Sequence, residues 1–204
     1  AIAAGVMLVA ALLVVLGHGA EQAAVGVVPP MVAGAFLVLT GALLVGDLKQ
    51  PRRFYYLITR GNRSSWLVKG AYVLAGFAVC LAAWWVAGLV GADWVLPLLV
   101  VPVVLLALRT AGYNPFLFAQ CEGRDLWQQP ILLPTLLAQA VVAGGAATMV
   151  LDLFMEVPGI VAVRTMLAIG LVANIALVVV EVRGRHSRHV TMAIADLTRG
   201  AQRT

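Results

Sequence analysis

The chain has 204 residues, of which 62% are hydrophobic and 11% charged, with a formal net charge of +5. Soluble domains carry about a quarter charged residues, so a water-facing globular domain is excluded and the bilayer is the expected solvent. The positive excess needs no nucleic-acid partner, because orientation in a membrane and attraction to anionic lipids account for it.

A spanning helix needs roughly 20 apolar residues, and the chain offers about six such runs. Residues 1–17 form the first. The chain opens inside this run with no basic segment before it, which reads as a trimmed start rather than a signal peptide. Residues 23–46 form the second, with Pro29 and Pro30 in its first turns, where a missing N–H is tolerated. The third covers about 70–92. The fourth covers 94–111, its apolar pattern running on toward Phe118. The fifth is 130–151 and the sixth about 157–180. Polarity does not alternate along any run, so a membrane barrel is excluded. Residues 1–182 therefore read as one all-α, polytopic transmembrane helix bundle. Residues 183–204 form a polar, basic tail with a weakly amphipathic stretch at 190–198.

If six helices alternate in direction, segments 47–69, 109–129 and 181–204 share one side. They hold 13 of the 14 Lys and Arg residues; the other side holds Arg164 with Glu21, Asp93, Asp152 and Glu156. Helix counting made no use of charge, so the asymmetry supports the threading independently. The positive-inside rule puts the basic loops of this multi-pass protein in the cytoplasm.

Three places carry polar groups at or within apolar runs. Asp47 stands where the second helix meets its loop, with Arg52 and Arg53 about one turn on. It either orients that loop or relays protons beside a ligand. Tyr113 and Trp127 flank the loop after the fourth helix. Both suit an aromatic belt, and the Tyr113 phenol also suits a hydrogen bond to a quinone carbonyl. Asn174 and Glu181, seven residues apart, fall near one face of the sixth helix. Glu181 either pairs with Arg183 or Arg185 at the interface or takes part in function. His18 lies at a helix end and His186 and His189 in the tail, so no intramembrane histidine pair exists to ligate haem. Cys80 and Cys121 read as small apolar fillers, and no metal site or nucleotide loop appears.

Two of these stretches together resemble the NrfD-like family, the membrane subunits of polysulfide reductase and related molybdopterin or iron–sulfur complexes. The first is Asp47, Pro51, Arg53 and Phe54, followed by Ser65-Trp66 and Gly70-Ala71-Tyr72. The second is Tyr113, Leu126-Trp127 and Leu133-Pro134, and Asn174 to Glu181 adds to the likeness. Asn114-Pro115 and Asp125 depart from the family pattern. The resemblance covers about 140 residues and implies a fold of eight or more helices, of which this chain shows six. It implies a haem-free subunit that binds a quinone, menaquinone or ubiquinone. The partner so implied is a ferredoxin-like iron–sulfur subunit, with a further catalytic or electron-carrying subunit. Tyr113 matches the family tyrosine that contacts quinone, while polar contacts at the start of the first helix would precede residue 1. In several relatives the iron–sulfur partner docks outside the cytoplasm on the tyrosine face, whereas charge places that face inside.

The expectation is therefore a quinone/quinol-binding membrane subunit of a respiratory oxidoreductase, not catalytic alone. Tyr113, Trp127 and Arg53 are the expected quinone contacts, and Asp47, Asn174 and Glu181 the expected proton pathway. The alternative is a secondary transporter or a structural scaffold without a redox role. Transport fits less well, because polar residues crowd one interface rather than the midplane.

Overall fold

The computed structural model of the chain describes residues 1–19, 22–46, 65–120 and 129–183. Helix α1 (Ile2–Leu13) continues as a π-helical turn, Val14–His18. A second π-helical segment, Gln22–Val27, leads into α2 (Val28–Gly46). Then come α3 (Trp66–Val90), α4 (Leu96–Gly112), the short α5 (Asn114–Phe118), α6 (Leu132–Leu151) and α7 (Ile160–Arg183). Five stretches are long and apolar enough to cross a membrane: Ala23–Gly46, Trp66–Val90, Leu96–Phe118, Leu132–Leu151 and Ile160–Arg183. Ile2–His18 is a shorter apolar helix. The expected polytopic bundle of about six helices is what the chain forms.

The helix ends differ from the expected bounds for local reasons. The third helix starts earlier, at Trp66, behind an extended Ser65, and stops at Val90 because Gly91 adopts a left-handed conformation (φ 68°). That conformation favours glycine and closes helices. The fourth begins at Leu96 with a proline in its first positions, so Trp94 falls in the preceding turn. The last begins at Ile160, after Pro158 and a left-handed Gly159 (φ 64°). It runs on to Arg183, which places Glu181 inside the final turn.

Helix α1 is the axis of the bundle. It packs against α2, α4 and α6, and Ala4, Val6, Met7, Val9, Ala10 and Leu13 are at most 1% exposed. A helix apolar all round belongs in such a position. Its small residues permit close approach. A Cβ added at Gly5 would strike the Ala140 carbonyl and lie 2.7 Å from the Gly144 nitrogen, so α1 and α6 cross backbone to backbone. Small residues at such crossings are how helices associate in lipid, where burial alone gives no preference. At the periphery, α7 packs mainly on α6 and exposes most of its length.

Lipid offers no water to a free backbone group, so each must find a partner within the protein. Pro29 and Pro30 create such a problem. Neither has an N–H, so the Val25 carbonyl loses both its α-helical donor, four residues on, and its π-helical donor, five residues on. The Trp84 indole supplies the missing bond: Nε1–H donates to Val25 O at 3.1 Å from a fully buried position. One turn later in α3, Gly88 lies against Gly26; a Cβ on Gly26 would sit 2.9 Å from Gly88 Cα. These contacts lock the entry of α2 onto the end of α3.

The ends of the bundle separate the charges. The starts of α1, α3 and α6 and the ends of α2, α4 and α7 meet at one end, which carries Lys69, Arg109 and Arg183, with Glu181, among the described residues. The opposite end carries Asp93, Asp152, Glu156 and Arg164. There Asp152 accepts the Val157 N–H at 3.1 Å, and the His18 imidazole packs against Gly159.

Replacing Trp84 by Phe keeps the ring but removes the donor, leaving Val25 O buried and unpaired. The expected loss is about 1–3 kcal/mol, read as a lower unfolding temperature of the detergent-solubilised protein. Trp85→Phe, at a partly exposed neighbour, is the control and leaves stability nearly unchanged. Equal behaviour of the two variants would contradict the assignment.

Candidate functional site

Hydroxyl groups show where the bundle departs from the rule of internal satisfaction. Thr40, Thr135, Thr148 and Thr165 each donate to the carbonyl four residues back, at 2.7–2.9 Å. This is the usual way to place a hydroxyl on an apolar helix. Thr110 is the exception: its Oγ1 is buried and has no hydrogen-bond partner. A buried hydroxyl without a partner costs about 1–3 kcal/mol, so its surroundings matter.

Thr110 sits three residues before Tyr113, and that spacing puts both on one side of α4. At Tyr113 the chain stays near helical (φ −78°, ψ −25°) and passes into α5, whose first residues are Asn114 and Pro115. The Tyr113 ring is half-buried and lies against the α3 backbone at Gly70. A Cβ on Gly70 would come within 2.8 Å of Tyr113 Cε2 and 2.9 Å of Cδ2. Glycine here makes room for the ring.

Three cavities meet at Tyr113. The innermost, about 240 Å³, is enclosed by the start of α1 (Ala1, Ile2, Ala3), by Phe36, Leu37 and Thr40 of α2, and by Leu74 of α3. Thr110, Tyr113 and Asn114 complete it. Its walls are thus apolar on α1 and α3, mixed on α2 and polar along α4 and α5. The second, about 490 Å³, follows the last turns of α2 from Thr40 to Gly46 and shares Thr40 and Tyr113 with the first. The third, about 630 Å³, lies on the outer side between α3 and α4, where Trp66, Lys69, Arg109 and Phe116 border it. All three lie at the basic end. A larger groove of about 960 Å³ runs between α1, α4, α6 and α7. Its one side-chain hydroxyl, Thr165, is already bonded to Val161 O, so it offers no free polar chemistry.

Of the residues singled out in the sequence, Tyr113 lies at the centre of this arrangement. Asn174 and Glu181 share a face of α7 with Val163, Leu167 and Gly170, the face that packs on α6. Both are half-buried, and Glu181 is engaged by a partner. No α7 residue lines the Tyr113 cavities, so the two stand apart from the tyrosine. Asp47, Arg53 and Trp127 lie outside the described residues. Among the described residues, no group of three His, Cys, Asp or Glu side chains could hold a metal ion. Thr110, Thr40 and Trp84 escaped the sequence reading. The signal for Thr110 was its helical spacing from Tyr113; the signal for Trp84 was the Pro29-Pro30 pair, which demands an outside donor.

No curated protein and no solved structure matches the chain. A family model described as polysulphide reductase, NrfD, matches residues 1–197. With nearly its whole length covered, the chain belongs to the NrfD polysulphide reductase family of membrane subunits of oxidoreductase complexes.

Proposed function

We propose that this chain is the quinone/quinol-binding membrane subunit of a respiratory oxidoreductase, with the quinone ring held in the cavity bordered by Tyr113 and Thr110. The observation that carries this reading is the unpartnered, buried Thr110 hydroxyl lining the same cavity as the Tyr113 phenol. The Thr110 and Tyr113 side chains border this space together with the apolar Ile2, Phe36, Leu37 and Leu74, a mixture that suits a flat ring with polar carbonyls. Ligand sites of this kind combine apolar walls with a few placed polar groups. Bound there, a menaquinone or ubiquinone supplies a carrier of two electrons and two protons.

The residues of the chain then have separable tasks. Tyr113 donates to a carbonyl oxygen of the ring, and Gly70 sets how deeply its phenol sits. Thr110 gains in the ligand the partner it lacks in the protein. Ile2, Phe36, Leu37 and Leu74 exclude water. Asp47 follows Gly46 directly in the chain, and Gly46 lines the adjoining cavity; this supports Asp47 as the group that takes up or releases a proton. Asn174 and Glu181 would form a second route along the α6–α7 seam. Arg53 and Trp127 remain proposed ring contacts from the loops at the same end.

Electrons would be exchanged there with a docked ferredoxin-like iron–sulfur subunit, itself joined to a further catalytic or electron-carrying subunit. By charge, the basic end is cytoplasmic; the family points to a prokaryotic inner membrane as the setting.

Tyr113→Phe and Thr110→Val each remove one hydroxyl with little change of volume. Loss of one ligand hydrogen bond corresponds to a roughly ten-fold drop in quinol turnover, with weaker binding of quinone-site inhibitors. Unchanged turnover and unchanged inhibitor affinity in both variants of the intact complex would refute the site. Gly70→Ala leaves every hydroxyl in place but drives a methyl group into the tyrosine ring. It is expected to weaken inhibitor binding several-fold while unfolding temperature falls by only a few degrees, a pairing of assays that separates misplacement of Tyr113 from loss of fold.

A further inference from the structure

We infer that the outer cavity, where Lys69 and Arg109 meet the Trp66–Phe116 aromatic pair above an apolar wall, is a seat for one anionic phospholipid. It lies on the other side of Tyr113 from the proposed quinone cavity and does not depend on that reading.

The two cations stand at the right depth. Lys69 is in the first turn of α3 and Arg109 in the last turn of α4, so both lie at the membrane–water boundary of the basic end. Both are exposed, and among the described residues no carboxylate pairs with either. With no carboxylate among the described residues to neutralise them, two cations bordering one cavity favour an anion there. The lysine is also positioned: its Nζ lies 4.5 Å from the centre of the Trp66 ring. Trp66 in turn stacks on Phe116, with ring centres 4.5 Å apart and planes 12° from parallel. This holds the ammonium group at the rim instead of leaving it free to extend into water.

The apolar part of the lining comes from Val73, Leu105, Leu108 and Leu133. Leu105 and Leu108 remain 55% and 38% exposed, and they lie deeper along α4 than Arg109. A phosphate held by Lys69 and Arg109 would therefore carry its acyl chains down an apolar wall of the same cavity. A free inorganic anion would use the cations and leave that wall uncovered. The geometry points to the lipid because one molecule satisfies both halves of the cavity.

The test uses the full chain with its co-purifying subunits, reconstituted into vesicles of equal parts phosphatidylglycerol and phosphatidylcholine. Lipid retained after re-extraction in mild detergent is identified by native mass spectrometry. Phosphatidylglycerol should be enriched over phosphatidylcholine. Each cation near the surface corresponds to about a five-fold preference, hence roughly twenty-five-fold for both. Lys69→Gln with Arg109→Gln should abolish the enrichment. Arg164→Gln, at the opposite end, should leave it intact, and Lys69→Arg should preserve it. Excess inorganic phosphate should not displace the lipid. Enrichment that is absent, that survives the double substitution, or that is lost to inorganic phosphate alone would overturn the proposal.

Discussion

The bundle depends on one constraint: inside a bilayer, a polar group that the protein does not satisfy stays unsatisfied. That rule explains why a tryptophan in α3 reaches a carbonyl at the start of α2, across 59 residues of chain. It also explains why Thr40, Thr135, Thr148 and Thr165 turn back onto their own helices. Against this background the exceptions carry information: among the described residues two buried side-chain oxygens lack a partner, Asp93 Oδ1 at the acidic end and Thr110 Oγ1 at the basic end. Thr110 breaks the rule at the one place where a tyrosine, an asparagine and the ends of three helices enclose a small cavity. A buried hydroxyl left without a partner on the wall of a cavity marks a place that a ligand could complete.

Close packing supplies the second half of the account. Gly5 against Ala140 and Gly144, and Gly26 against Gly88, bring backbones together where side chains would hold them apart. The first crossing draws α1 into the centre, and so puts Ala1, Ile2 and Ala3 against the cavity beside Tyr113. The second, with the Trp84 bond, sets the start of α2. Because α2 is then one rigid rod, its far end is set as well, and Thr40 and Gly46 reach the tyrosine from the other side. Packing near the acidic end and at mid-membrane thus shapes the site at the basic end.

Much of this was legible in the sequence. Six apolar runs and a lopsided distribution of Lys and Arg sufficed for the helix count and the threading, because lipid demands long uncharged segments. Tyr113 was identified from motif order, and Asn174 with Glu181 from a seven-residue spacing that does place them on one face. What the sequence hid was which helix lies inside. Helices α1 and α7 are both predominantly apolar, yet one is the axis and the other the rim. Only the density of alanine and glycine in α1 hinted at it. For the same reason the neighbour of the Asn174–Glu181 face was not predictable: it is α6, not the tyrosine cavity. Thr110 was passed over because a threonine in a membrane helix ordinarily bonds its own backbone, and nothing in the sequence signals that this one does not.

The central claim is that the ring of a quinone occupies the space between the start of α1 and the Thr110–Asn114 corner. Photolabelling of the intact complex with a quinone that carries an azide on its ring tests it most directly, by locating the modified peptides. The account predicts cross-links confined to residues 1–3, 36–40 and 110–114, suppressed by excess unlabelled quinone. Competitive labelling that instead falls along α6 and α7, or in the groove around Val104 and Met166, would contradict it.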